Sequence, residues 1–308
     1  MSYKIKIPKI LPPYDDMVFK SMLTRPDAEP ARVDLLSVLL GRTIKTATVR
    51  NTEMPGRDID VKQERFDMNC TFDDGDQAAV EMQAAPMRGD SADNQHRNIR
   101  DRAAFGLCDL HANQSGSGVD YADFIKSYHV TITNYRVYSE ERRLVETFKL
   151  RNESGIVLTE SVACVFLDLT LVDGMLAVKK TAAKMSGVEM WAVFFAKADD
   201  PKCSDIIKQI IKEREAIKVA DTMLRDISQD EYERARFHSR KMALHDAEHN
   251  RAVALKEGRV EQGKETAYEM FIDGKNIEEI KRYSKLPDKS LAEVLSGLPT
   301  EIQARYSL

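Results

Sequence analysis

The chain has 308 residues, 43% of them hydrophobic and 31% charged, which is enough apolar material for a sizeable core and points to one large domain or a domain with an appendage. The formal net charge of −4 excludes a strongly basic whole-protein field, so any nucleic-acid contact has to come from a local patch. Four widely spaced cysteines, Cys70, Cys108, Cys164 and Cys203, form no C-x-x-C pair, which argues against a disulfide framework or zinc knuckle and fits a reducing compartment.

The N-terminal stretch MSYKIKIPKILPPYDD has no continuous apolar segment and no small-residue cleavage site. Pro8, Pro12 and Pro13 make Lys4 to Pro13 an extended arm. From Asp16 the pattern turns helical, with Val18, Phe19, Met22 and Leu23 repeating at three and four. A second helix carries Val33, Leu35, Leu36, Val38, Leu39 and Leu40 and is closed by Gly41. Ile44 to Thr52 alternates like a strand, and two further alternating runs flank DDGD at residues 64–83. Residues 88–112 read as a charged amphipathic helix, followed by a loop, QSGSG, at 114–118. Tyr128 to Tyr138 and Ser161 to Val172 read as strands. The run WAVFFA at 191–196 fits either a helix or a strand, since period does not separate the two in short apolar runs. It and VACVFL, at 162–167, are too short to span a bilayer, so a cytoplasmic chain without a membrane partner is expected.

Composition shifts near residue 212, which divides the chain into an expected domain over 1–212 and a helical C-terminal region over 213–308. In that region Gly274 closes one helix, Asn276 caps the next and Pro287-Asp288 opens a third.

The run ERFDMNCTFDDGDQAAVEMQ raises a specific question of geometry. Arg65, Asp67, Asn69 and Thr71 share one face of the first strand, and Phe66, Met68, Cys70 and Phe72 share the other. In the second strand Ala79, Glu81 and Gln83 oppose Ala78, Val80 and Met82. A two-residue turn at Asp74-Gly75 would set polar faces against apolar ones. A three-residue loop, Asp73-Asp74-Gly75, keeps the faces matched and puts Gly75 where a left-handed residue is needed. That register places Asp67 across from Glu81, with β-carbons about 4.5–5.5 Å apart. Two carboxylates so close repel, and either one takes a proton or a cation sits between them. Oxygen-rich sites of this kind suit Mg²⁺ or Mn²⁺. The competing reading is a half-buried hairpin with a solvated face whose acids pair with Arg65 or Lys62.

These residues resemble the PD-(D/E)XK nuclease superfamily, and more narrowly its Rpn-type recombination-promoting nucleases, or PD-(D/E)XK family transposases. Asp16-Met17-Val18-Phe19-Lys20 is similar to that branch's D-x-x-F-K opening. RFDMNCTFDDGDQAAVEMQ is similar to its R-x-D…E-M-Q hairpin, Arg97 to an arginine early in the next helix, and Gly118 with Tyr121 to its G-x-x-Y. The closing segment FIDGKNIEEIKRYSKLPDKSLAEV also matches. The resemblance implies an α/β (α+β) fold: a restriction-endonuclease-like core, a mixed sheet flanked by helices, with a C-terminal helical tail. It further implies Mg²⁺-dependent DNA cleavage, with Mn²⁺ able to substitute. Asp67 and Glu81 would ligate the metal and Asp16 would add a carboxylate. Gln83 stands where the wider superfamily has lysine; its amide can hold a water but supplies no charge. Lys20, Arg65 and Arg97 are the expected compensating cations. The alternative is a nuclease-fold module that binds DNA or a protein partner without cutting.

Three further signals have plain readings beside sharper ones. Arg88, His96, Arg97, Arg100 and Arg102 form either a phosphate-binding patch or an ordinary charged helix face, since Asp90, Asp93 and Asp101 interleave with them. His245 and His249 stand one helical turn apart, which suits a solvated face better than a zinc pair. The C-terminal short helices have no basic recognition face, so packing or homo-oligomer formation is expected of them rather than DNA reading.

Overall fold

The computed structural model describes residues 8–50, 66–84, 92–114, 120–138, 143–178 and 181–306, and gives the backbone alone at 92–97, 122, 245–246 and 248–249. Its helices and strands, in chain order, are α1 (Asp16–Leu23), α2 (Glu29–Leu40), β1 (Ala47–Val49), β2 (Met68–Phe72), β3 (Gln77–Gln83), α3 (Ala92–Ala112), β4 (Ser127–Thr133), β5 (Val145–Phe148), β6 (Val162–Asp168), α4 (Val172–Ala177), α5 (Gly187–Lys197), α6 (Ser204–Glu213), α7 (Glu215–Gln229), α8 (Glu231–Ile272), α9 (Ile277–Ser284), α10 (Asp288–Ser296) and α11 (Thr300–Gln303). The six strands form one mixed sheet in the order β1-β2-β3-β4-β6-β5. β1, β2 and β3 run antiparallel, β3, β4 and β6 run parallel, and β5 lies antiparallel on the edge at β6. The α/β restriction-endonuclease-like architecture expected from the sequence is the one observed.

The hairpin has the expected register. Met68 faces Val80, Asn69 faces Ala79, Cys70 faces Ala78 and Thr71 faces Gln77. Gly75 has φ +89°, the left-handed conformation that closes the three-residue loop. Arg42 grips that loop from outside through Asp74 and Asp76. The hairpin is not half-buried, however. It lies inside the sheet, and both faces are covered. One face sends Met68, Cys70, Val80, Met82, Val130, Ile132, Val165 and Leu167 into a core shared with α1, α2, α5, α6 and α7. The other sends Asn69, Ala79, Glu81, His129, Thr131 and Thr133 toward α3. Phe66 departs from the alternation: it precedes β2, so the pleat does not fix its direction, and it packs against Ala79 and Leu110 on the α3 side.

WAVFFA is helical, in α5, where Ser186 and Glu189 form a reciprocal capping box and Trp191, Phe194 and Phe195 are fully buried. The strand expected to run to Tyr138 stops at Thr133; the chain then leaves the sheet, and Val137 and Tyr138 pack with Phe166. The strand expected to run to Val172 stops at Asp168, whose carboxylate accepts the Thr170 N–H at 2.9 Å and starts a helical turn.

The chain forms two compact units, residues 1–237 and 238–308. The shift in composition near residue 212 falls inside the first unit. α7, beyond that point, gives Ile217, Ala220, Leu224 and Ile227 to the core of the first unit. Asp34 accepts a forked pair of bonds from Arg214 at 2.6 and 2.7 Å and a third from Trp191 Nε1 at 2.8 Å. The second unit has its own small core of Ala267, Phe271, Ile280, Leu286, Leu291, Leu295 and Leu298. Its stops and starts follow the sequence: Gly274 has φ +68°, Asn276 accepts the Glu279 N–H, and Pro287 precedes α10. Among the described residues no helix is long and apolar enough to cross a membrane.

Candidate active site

The carboxyl end of β3 carries Glu81 and Gln83, beside Thr131 and Thr133 of the parallel strand β4. In open α/β sheets this end of the parallel strands is the ordinary place for a ligand. Asp67 stands one residue before β2, and continuing the ladder from Met68–Val80 sets it opposite Glu81. Its carboxylate turns onto the next strand and accepts the Met82 N–H at 2.7 Å, because β2 begins too late to offer that amide a main-chain acceptor. Asp16 is the first residue of α1, which packs against β3. Its carboxylate accepts the Met17 N–H at 2.9 Å, and Asp15 caps the same helix.

The acids feel one another. Burial is the main cause that raises the Asp67 carboxyl to about 7; the Met82 N–H opposes it, Asp16 and Glu81 push further up, and Lys20 pulls down. Lys20 lies one turn after Asp16 on the exposed side of α1. Glu81 is only 1% exposed, and its Oε1 accepts from Arg102 Nη2 at 2.8 Å. Its Oε2 lies 3.5 Å from Gln83 Nε2.

Asp67, Glu81 and Gln83 thus share the end of β3, and Asp16 and Lys20 of α1 act on Asp67 through their charge. Arg100 is exposed and stacks its guanidinium over Tyr138 at 5.4 Å. Arg65, like Lys62, Arg88 and Gly118, lies outside the described residues, and the side chains of His96, Arg97, His245 and His249 do as well. Three neighbours were not singled out from the sequence. Arg102 appeared there only as one member of the helix arginines. Tyr135 is pushed to about 12 by burial, lowered by Arg102 and raised by Glu81. His129, 1% exposed, is driven down to about 4 by burial and by the charge of Arg102, and its Nδ1 meets the Thr131 hydroxyl at 3.2 Å.

Among the described residues no group of three or more His, Cys, Asp or Glu side chains stands assembled to hold a metal ion. The donor set itself is of the hard carboxylate type that Mg²⁺ and Mn²⁺ take. Burial is the main cause that favours the protonated Asp67 carboxyl, and the added repulsion from Asp16 and Glu81 is the part that a divalent cation would relieve.

A mixed sheet flanked by helices, with carboxylates converging at the carboxyl end of an interior hairpin, defines a restriction-endonuclease-like protein. Residues 13–254 match the PD-(D/E)XK nuclease family transposases, and the chain belongs to that family. No curated protein and no solved structure matches it. Membership points to a nuclease or transposase-associated function, and nucleases of this class generally use divalent metals.

Proposed function

We propose that the protein is a metal-dependent DNA endonuclease of the recombination-promoting, transposase-associated kind. The pairing of Asp67 with Glu81 at the end of β3, with the charge of Asp16 acting on Asp67, in a chain of this family, carries the reading. Asp67 and Glu81 would hold Mg²⁺, or Mn²⁺ in its place, and Asp16 would add a third carboxylate. A cation bound there supplies polarisation of a phosphate oxygen and a more acidic water. Gln83 holds the attacking water through its amide, which orients without adding charge. Lys20 and Arg100 offer exposed positive charge to the phosphate backbone, the role also expected of Arg65 and Arg97. Cutting two strands favours two sites, and we place self-association on the C-terminal helices, where Leu244, Val253 and Leu255 of α8 are exposed.

The test is nicking of supercoiled plasmid with Mg²⁺, Mn²⁺, Ca²⁺ or EDTA, in wild type, Asp67→Ala and Glu81→Ala. Nicking that requires Mg²⁺ or Mn²⁺ and disappears in both folded variants is expected. A well-folded wild type that binds DNA and cuts with none of the metals would overturn the reading in favour of a binding module.

A further inference from the structure

Glu81 is met by a cation from α3, the helix that covers it. We propose that Arg102 is the positioning residue of this site, holding Glu81 in the geometry in which it ligates the metal; the inference rests on the nuclease reading.

Glu81 lies under α3 with almost no exposure, so its charge needs a partner inside the protein. Arg102 Nη2 provides one at 2.8 Å, and its side chain keeps 29% of its surface, enough to remain solvated at its outer edge. The Arg102 Nη2 bond falls on Oε1, while Oε2 stays on the side of Gln83, at 3.5 Å from its amide nitrogen. Oε1 is held by Arg102, and Oε2 lies beside the residue that would hold water.

The acids are served by different elements. Lys20 acts on Asp67 from α1, and Arg102 acts on Glu81 from α3. A lysine two residues after Glu81 would extend from the same strand. An arginine on α3 instead approaches from the helix face and leaves the Gln83 position to a neutral amide. Carboxylate ligands of metals are ordinarily held in place by such a hydrogen bond, and its loss weakens the metal roughly 10–100-fold. The alternative role, Arg102 as a competitor that occupies the metal's place, predicts the opposite sign.

The experiment measures the Mn²⁺ dissociation constant by electron paramagnetic resonance of unbound Mn²⁺, on full-length wild type, Arg102→Lys, Arg102→Met and Glu81→Ala. Thermal melting and circular dichroism report the fold. Arg102→Met is expected to weaken Mn²⁺ binding by about 10–100-fold. Arg102→Lys restores the charge without the planar fork and is expected to recover part of that loss. Should Arg102→Met fail to fold, Arg102→Lys decides the matter, since it keeps a counter-charge for the buried acid. Unchanged or tighter Mn²⁺ binding in folded Arg102 variants overturns the proposal. Wild type that binds no Mn²⁺ overturns the nuclease reading and this inference with it, so the two failures are distinguishable.

Discussion

The Asp67 carboxylate accepts the main-chain N–H of Met82 across 2.7 Å, tying the residue before β2 to the middle of β3. A side chain here completes a ladder that the backbone leaves one step short. The bond orients Asp67 but does not offset the burial and like charge around it, and the carboxyl rises to about 7. A site that crowds acids in this way is unstable toward ionisation by itself and is suited to taking up a cation.

That balance has a sign in pH. Unfolded Asp67 ionises near 3.8, whereas the folded residue keeps its proton to about 7. Between those values the native state binds the extra proton, so this group makes stability fall as pH rises from about 4 to 7, and the loss is complete above that. Asp67→Asn keeps an acceptor for the Met82 N–H and removes the charge. It is expected to be more stable than wild type at pH 8, by on the order of 2–4 kcal/mol, and nearly equal at pH 4. Urea unfolding at the two pH values measures this; an equal difference at both would show that Asp67 is not the source.

Metal should reverse the wild-type penalty. A ligand that binds only the native state raises its stability by mass action, about 2.7 kcal/mol at one hundred times its dissociation constant. Mg²⁺ or Mn²⁺ at pH 8 is therefore expected to raise the melting temperature of wild type and to leave Asp67→Asn and Glu81→Ala nearly unmoved. Calorimetric scans with metal and with EDTA provide the comparison. An equal rise in all three proteins would place the bound ion elsewhere.

The hairpin loop depends on one backbone angle. At φ +89° any L side chain at position 75 is strained, while among the described residues the added β-carbon would meet only Ile125, at an ordinary 3.5 Å. Gly75→Ala is accordingly expected to lose about 1 kcal/mol for conformational reasons alone, and Gly75→Asn less, since asparagine tolerates the left-handed region better. Equilibrium denaturation ranks the two variants. The register is fixed independently by the two buried faces, so plasmid nicking at 25 °C should survive both.

Much of this hairpin was legible in its residues. Alternation and the single glycine specify the register and bring Asp67 to Glu81, because a slip by one residue exchanges the two faces. The burial of the polar face was not legible, since it depends on α3 crossing above it. Nor was the identity of the arginine at Glu81. Ile99, Ala103, Leu107 and Leu110 form the inward stripe of α3. Arg100 and Arg102 stand on opposite flanks of that stripe, one exposed and the other partly covered, so helical spacing alone does not tell which of them meets Glu81. β5 is four residues on the sheet edge with two of them exposed, too short and too polar to announce itself. The apolar run in α5 shows no period because its central residues are buried all round.

Asp34 holds three donors, two from Arg214 and one from Trp191, and so joins α2 to α5 and the start of α7. Asp34→Ala strips all three bonds at once and leaves a guanidinium and an indole N–H partly buried without their acceptor. The expected loss is about 2–3 kcal/mol, below the full value for a buried pair because both charged side chains keep a quarter of their surface. Arg214→Lys keeps the charge, loses the fork and should lose less. Urea unfolding followed by Trp191 fluorescence reads both. A null effect in Asp34→Ala would mean that α7 is held by its apolar face alone.

The four thiols separate by burial. Cys108 is exposed on α3 and Cys203 is partly covered, whereas Cys70 and Cys164 are buried, and burial raises each of these two thiols to about 12. Reaction with a disulfide reagent requires both access and thiolate. Native protein at pH 8 is therefore expected to show one fast thiol, one slower thiol and two that react only on unfolding. Mass spectrometry of the labelled peptides assigns them. Cys70 is the informative one: it lies on the core face of β2, in the strand that begins beside Asp67. At reagent concentrations where reclosing outpaces labelling, its labelling rate reports the free energy of opening the hairpin. Mn²⁺ bound at the acids is expected to slow Cys70 labelling and leave Cys108 unchanged. Equal slowing of both would instead indicate a general effect of the ion on the reagent.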